Sequence, residues 1–171
     1  MNVAIEPVGT HARLKPGEVL LQHGLASDAL PYLLTACDTE PSEWRHLLNL
    51  AVAYRLLGHF ALAHSALEKA VKLAPKAWPV HHTSANLMDD EGKFEAAFEF
   101  RKKAWEFCGG KSREVALGLA VSLLRRGDWL EGGKFWEIGR FMYSWSPPPG
   151  SQVCDGQNLD GKHLLVITEG G

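Results

Sequence analysis

The chain has 171 residues, with 18 Lys+Arg against 20 Asp+Glu and a formal net charge of −2. That near-balance gives no support to nucleic-acid binding by phosphate neutralisation, and 46% hydrophobic with 22% charged residues excludes wholesale disorder. Ala (19) and Leu (24) far outnumber Val (10) and Ile (3), which favours helix over strand.

Residues 1–7 carry neither a basic n-region nor an apolar h-region, so no signal peptide is expected. Long charge-free stretches such as 56–67 and 141–154 fall short of the ~18 apolar residues that a spanning helix needs. Cys37, Cys108 and Cys154 are odd in number and far apart, which makes neither a disulfide framework nor a zinc set. A cytoplasmic protein without cofactor, nucleic-acid partner or membrane insertion is the expectation.

A repeat organises most of the chain. Gly24, Gly58 and Gly92 are 34 residues apart, and Gly127 follows at 35. Small residues stand five positions after each glycine (Ala29, Ala63, Ala97, Gly132) and twelve after (Ala36, Ala70, Ala104, Gly139). Between them comes the column Leu33, Leu67, Arg101 and Trp136, expected to fill the space between helices. Small residues seven apart share one helix face and let a partner helix approach closely. The glycines suit a left-handed turn that ends one helix, and Pro41 and Pro75 end the next. Each unit is therefore a helix–turn–helix hairpin.

In chain order, residues 1–9 form a tail and the array runs over 10–146. Residues 10–43 match in their second half only, at Gly24, Ala29, Leu33, Ala36 and Pro41; Pro16-Gly17 is expected to interrupt the first helix and give a short capping unit. Residues 44–77 are the best copy, with Leu50, Ala51, Tyr54, Gly58, Ala63, Leu67, Ala70 and Pro75. Residues 78–111 follow with Ala85, Gly92, Phe94, Ala97, Ala104 and Gly109. Residues 113–146 are looser: Leu119, Ala120, Leu123, Gly127, Trp129 and Trp136 fit, while Gly132 and Gly139 replace the two alanines.

These columns resemble the tetratricopeptide repeat. The resemblance implies an all-α fold, a right-handed superhelical solenoid of about four helix–turn–helix units with a short non-helical C-terminal tail. It also implies a concave groove lined by the first helix of each unit. Carried onto this sequence, the groove residues are Arg45, Leu48, Asn49, Val52 and Arg55, then His82, Asn86, Asp89 and Asp90, then Leu117, Val121 and Arg125. Val52 and Thr83 stand where the asparagines of a carboxylate clamp belong, so that subclass is disfavoured. The groove reads as basic at Arg45 and Arg55, acidic at Asp89 and Asp90, and apolar at Leu117, Val121 and Leu124, which suits a peptide with charge and apolar anchors.

Other constellations read as structural. The eight histidines lack metal-ligand spacing: His81 and His82 are adjacent, and His59 and His64 are five apart. Asp89-Asp90-Glu91 reads as a solvated turn or groove rim rather than paired catalytic carboxylates. Gly109-Gly110-Lys111-Ser112 resembles the tail of a phosphate loop, but Trp105 stands where the first glycine is needed; it reads as an inter-repeat turn. Trp129 and Trp136 are expected in the core, and Trp44 and Trp78 to pack where units begin.

After Trp145 the sequence changes. Pro147-Pro148-Pro149-Gly150 reads as a stiff hinge, and residues 164–168 as a buried strand ending on Gly170-Gly171. Asp155, Gly156, Leu159, Gly161, Lys162, Leu164, Leu165, Val166, Glu169 and Gly170 resemble the junction that leads into the catalytic domain of bacterial proteins joining tetratricopeptide repeats to a GT-B-type glycosyltransferase. The tryptophan usual before the Asp-Gly is Cys154 here. This implies that residues 147–171 are a hinge and the start of an α/β domain, in a chain that is part of something longer. Three functions are expected to compete: a non-catalytic peptide-binding module, the substrate-recruiting arm of a sugar-nucleotide-dependent transferase, and a self-assembling scaffold that forms homo-oligomers.

Overall fold

A computed structural model describes residues 16–141, and the two tails and the glycosyltransferase-like junction lie outside the described residues. The described residues form eight helices: α1 (Pro16–Gln22), α2 (Ala26–Thr39), α3 (Trp44–Leu56), α4 (Phe60–Leu73), α5 (Trp78–Asp90), α6 (Phe94–Phe107), α7 (Arg113–Arg125) and α8 (Trp129–Phe141). They pair into antiparallel hairpins α1–α2, α3–α4, α5–α6 and α7–α8, and each hairpin packs its second helix on the first helix of the next.

The glycine column turns each hairpin. Gly24, Gly58, Gly92 and Gly127 have φ between 73° and 83°, in the left-handed region that costs a side-chain-bearing residue about 1–2 kcal/mol. Pro41 and Pro75 follow two residues after the ends of α2 and α4. Pro16 is the first described residue of α1, and its fixed φ and missing N–H suit the first turn of a helix. Gly109 and Gly110 also have positive φ, and the Ser112 hydroxyl accepts from Val115 N at 3.4 Å. The glycine-rich segment is thus a turn and helix cap.

Ala29, Ala63, Ala70, Ala97 and Ala104 are fully buried. Numbering positions from the first residue of each unit, the second helix presents positions 17, 21, 24 and 28 to positions 3, 7 and 10 of the next first helix. Leu30, Leu33 and Cys37 meet Leu50 and Ala53. Phe60, Leu67 and Val71 meet Val80 and Leu87. Phe98 and Trp105 meet Val115 and Leu119. Trp44 and Trp78 are half-buried against these clusters. The expectation for the other two tryptophans fails: Trp129 is 72% exposed and Trp136 44%. Position 24, that of Trp136, is buried in the other units, where a first helix follows, and no described helix follows α8.

The two glycines of the last unit have a packing reason. A Cβ at Gly139 would lie 2.6 Å from Cγ of Leu117, and one at Gly132 2.8 Å from Cγ of Leu124. Gly133, on the same helix, faces open space. Gly139→Ala is therefore expected to destabilise by about 1–2 kcal/mol, overpacking outweighing the helix propensity gained. Gly133→Ala should stabilise by roughly 0.5–1 kcal/mol. Urea denaturation followed by circular dichroism checks both; equal effects at the two sites would contradict this packing.

Candidate binding groove

α3 packs against both α1 and α5, whereas successive second helices make no comparable contacts among the described residues. α1, α3 and α5 therefore lie side by side along the array. Of the residues expected in the groove, Arg45 on α3, Asp90 on α5 and Val121 and Arg125 on α7 are exposed, and Leu48, Asn49, Val52 and Arg55 on α3, His82, Asn86 and Asp89 on α5 and Leu117 on α7 are half-buried. Thr83, also at a groove position by register, is buried.

The charged residues meet one another at the rim, near the ends of the first helices. Arg55 Nη1 donates to Asp90 Oδ2 at 2.6 Å. Arg125 Nη1 donates to Asp89 Oδ1 at 3.2 Å, and its guanidinium lies 4.1 Å from the centre of the Phe94 ring. The pairs share one register: position 12 of one unit meets position 13 of the next. Arg55 and Arg125 suit a helix C-terminus, where the dipole favours cations. Asp89 and Asp90 sit at the C-terminal end of α5 against that preference and are held by guanidiniums. Glu91 binds His64 Nε2 at 2.8 Å and Lys93 Nζ at 3.3 Å; these bonds, His64 first, hold its carboxyl below the usual range. The expected solvated acidic turn is therefore three ion-paired carboxylates.

Beneath the rim lies a residue that the groove assignment missed. Arg101 of α6, at position 24 where Leu33 and Leu67 stand elsewhere, is only 5% exposed. Nη1 donates to Ser122 Oγ at 2.8 Å and Nη2 to Asn86 Oδ1 at 3.2 Å, and Nη2 also pairs with Asp89. A Cβ at Gly118 would lie 2.7 Å from Arg101 Nε, so the missing side chain at 118 makes room for the guanidinium. The sequence signal was a charged residue in a column otherwise occupied by large apolar ones.

His82 lies at the centre of the first-helix faces, edge-on to Trp78 with ring centroids 6.4 Å apart. Burial, then the positive field of Arg101 and of Arg55, lowers its pKa from 6.5 to about 4, against an opposing pull from Glu114. Glu114 is held low by a backbone hydrogen bond and the Ser112 hydroxyl. Asn49 Nδ2 donates to Glu18 Oε1 at 3.2 Å, and Arg45 pairs with Glu43 at 3.2 Å while stacking on Trp44. The structure thus joins Arg55 to Asp90, Asp89 to Asn86 through Arg101, and Arg125 to Asp89. It leaves Arg45 and Asn49 with separate partners at the other end. Of the apolar residues expected in the groove, Val121 is 41% exposed and Val52 half-buried, whereas Leu48 packs on the core cluster of α3, α4 and α5 and Leu117 packs against Gly139 of α8. No group of three or more His, Cys, Asp or Glu able to hold a metal occurs among the described residues, nor is any described helix long and apolar enough to cross a membrane.

Stacked helical hairpins whose first helices α1, α3 and α5 lie side by side define a superhelical solenoid of the tetratricopeptide class. The sequence model of the tetratricopeptide repeat matches residues 47–77, so the chain carries at least this unit in recognisable form. Among solved structures the fold is similar to that of MamA, at 18% identity and a TM-score of 0.62 over 75% of each chain. It is likewise similar to PilF of Pseudomonas aeruginosa, at 19% identity and a TM-score of 0.67 over 74% of this chain and 57% of that one. No curated protein sequence matches the chain.

Proposed function

We propose that this chain is a non-catalytic protein-binding module that holds a peptide across the inner face of α3, α5 and α7. The observation that carries this reading is Val121, 41% exposed on α7, with the half-buried Val52 on α3, beside a rim whose charges pair with one another. The rim charges are paired inside the protein, so this face offers a partner apolar contact and neutral hydrogen bonding more than charge. The partner is an extended or helical peptide anchored by apolar side chains, a narrower class than the mixed-charge ligand expected from sequence.

Peptides selected on the wild-type chain from a displayed random library provide the test. Val121→Glu and Val52→Glu should each weaken the selected peptides at least about tenfold, the effect of losing roughly 1.4 kcal/mol of binding, with the helical circular dichroism unchanged. Full binding by both variants would place the partner on another surface.

A further inference from the structure

One docking rule builds the three internal junctions, and half of it is left unused at each end. At the end of the array, Trp129, Gly133 and Trp136 of α8 stand at positions 17, 21 and 24. Trp136 is 44% exposed although its equivalents Leu33, Leu67 and Arg101 are buried, and Trp129 is 72% exposed against 45% for Phe94, the most exposed of its own equivalents. At the start, α1 carries Pro16 and Val19 at positions 7 and 10. The counterparts Leu50 and Ala53, Ser84 and Leu87, and Leu119 and Ser122 are all buried by the preceding second helix. Pro16 is exposed and Val19 is 36% exposed.

We propose that these ends are the two halves of one further junction, and that α8 of one copy docks on α1 of a second copy. Two observations favour a second copy. The face missing from α8 is that of a first helix at positions 7 and 10, and α1 is the described first helix with that face uncovered. The bulky tryptophans also complement the small Pro16 and Val19, as Leu67 and Phe60 complement Val80 at the second junction. The contact joins unlike surfaces, so it is heterologous and runs head to tail. Aromatic anchors in such a patch carry a large share of binding. The proposal does not depend on the groove reading, since neither face belongs to the groove.

Light scattering on the full chain across a wide concentration range tests it. The wild type is expected to rise above the mass of one chain as concentration increases. Trp136→Asp and Val19→Asp should each stay at one chain, the first lacking a working tail and the second a working head. Mixed in equal amounts, they should form a two-chain species that grows no further. Should Trp136→Asp lose its helical signal, Trp129→Asp takes its place at a more exposed position. A wild type that stays at one chain at every concentration overturns the proposal, because the chain's own flanking residues or another partner would then hold these faces. Self-association of Val19→Asp alone would do the same, indicating pairing of α8 with α8, and so would a mixture that does not recover.

Discussion

Arg101→Ala is expected to lower the unfolding free energy by about 3 kcal/mol, the cost of removing one partner from a buried charged network. The substitution leaves Asp89 with Arg125 alone, strips Ser122 and Asn86 of their donor, and opens a void where α5, α6 and α7 meet. Arg101→Leu separates charge from volume. It restores the residue type of Leu33 and Leu67, and should recover more than half of the loss, most fully when combined with Asp89→Asn. Gly118→Ala pushes a methyl group onto Arg101 Nε, so its cost should shrink in the Arg101→Leu background, a coupling that a double-mutant cycle measures. Urea denaturation monitored by circular dichroism reads all four variants. An alanine variant within about 0.5 kcal/mol of wild type, the range of an inert surface change, would sink the structural role assigned to Arg101.

Acidification gives the second large effect. The folded pKa of His82 is about 4 against 6.5 for the ordinary imidazole. Between these values the unfolded chain binds a proton that the folded chain refuses, so stability rises with pH across that window. His82 therefore contributes fully above pH 6.5, and the contribution is lost as pH falls towards 4. The loss is on the order of 2–3 kcal/mol for a shift of this size. The groups acting on His82 are Arg101 and Arg55, which oppose protonation, and Glu114, which favours it. The carboxyls of Glu91 and Glu114 are held low, so their contributions fade only below about 4.5, under the main His82 window. His82→Gln should flatten the melting temperature between pH 6.5 and 5. Its imidazole resonances in the wild type should show the neutral form at pH 5; half-protonation near 6.5 would remove the basis of the effect.

The hairpins were legible because each repeat column answers to a local constraint. Gly58 and Gly92 need positive φ, and Ala63 and Ala70 must vanish between two helices; such demands show in residue type at a fixed spacing. The exposure of Val121 followed from the same register, since it needs only its place on a helix face. The rim was harder. Asp89, Asp90 and Arg55 were each assigned to the groove as free charges, and their pairing depends on position 12 of one unit meeting position 13 of the next. Opposite charges at Arg55 and Asp90, and again at Asp89 and Arg125, were a readable signal once those two columns are compared across units. Trp136 misled because its column is buried only when another first helix follows.

The sequence alone determined the hairpin repeat, its period and the side of each helix that faces a neighbour, because backbone conformation and side-chain size act over a few residues. Tertiary structure decided which charges remain available and which apolar faces stay open. Arg101 of α6 reaches both α5 and α7, and the tryptophans of α8 lack a cover among the described residues. Both follow from distances between units that residue type does not specify. The near-neutral composition took on its meaning there: much of the charge in the groove is consumed in holding successive repeats together.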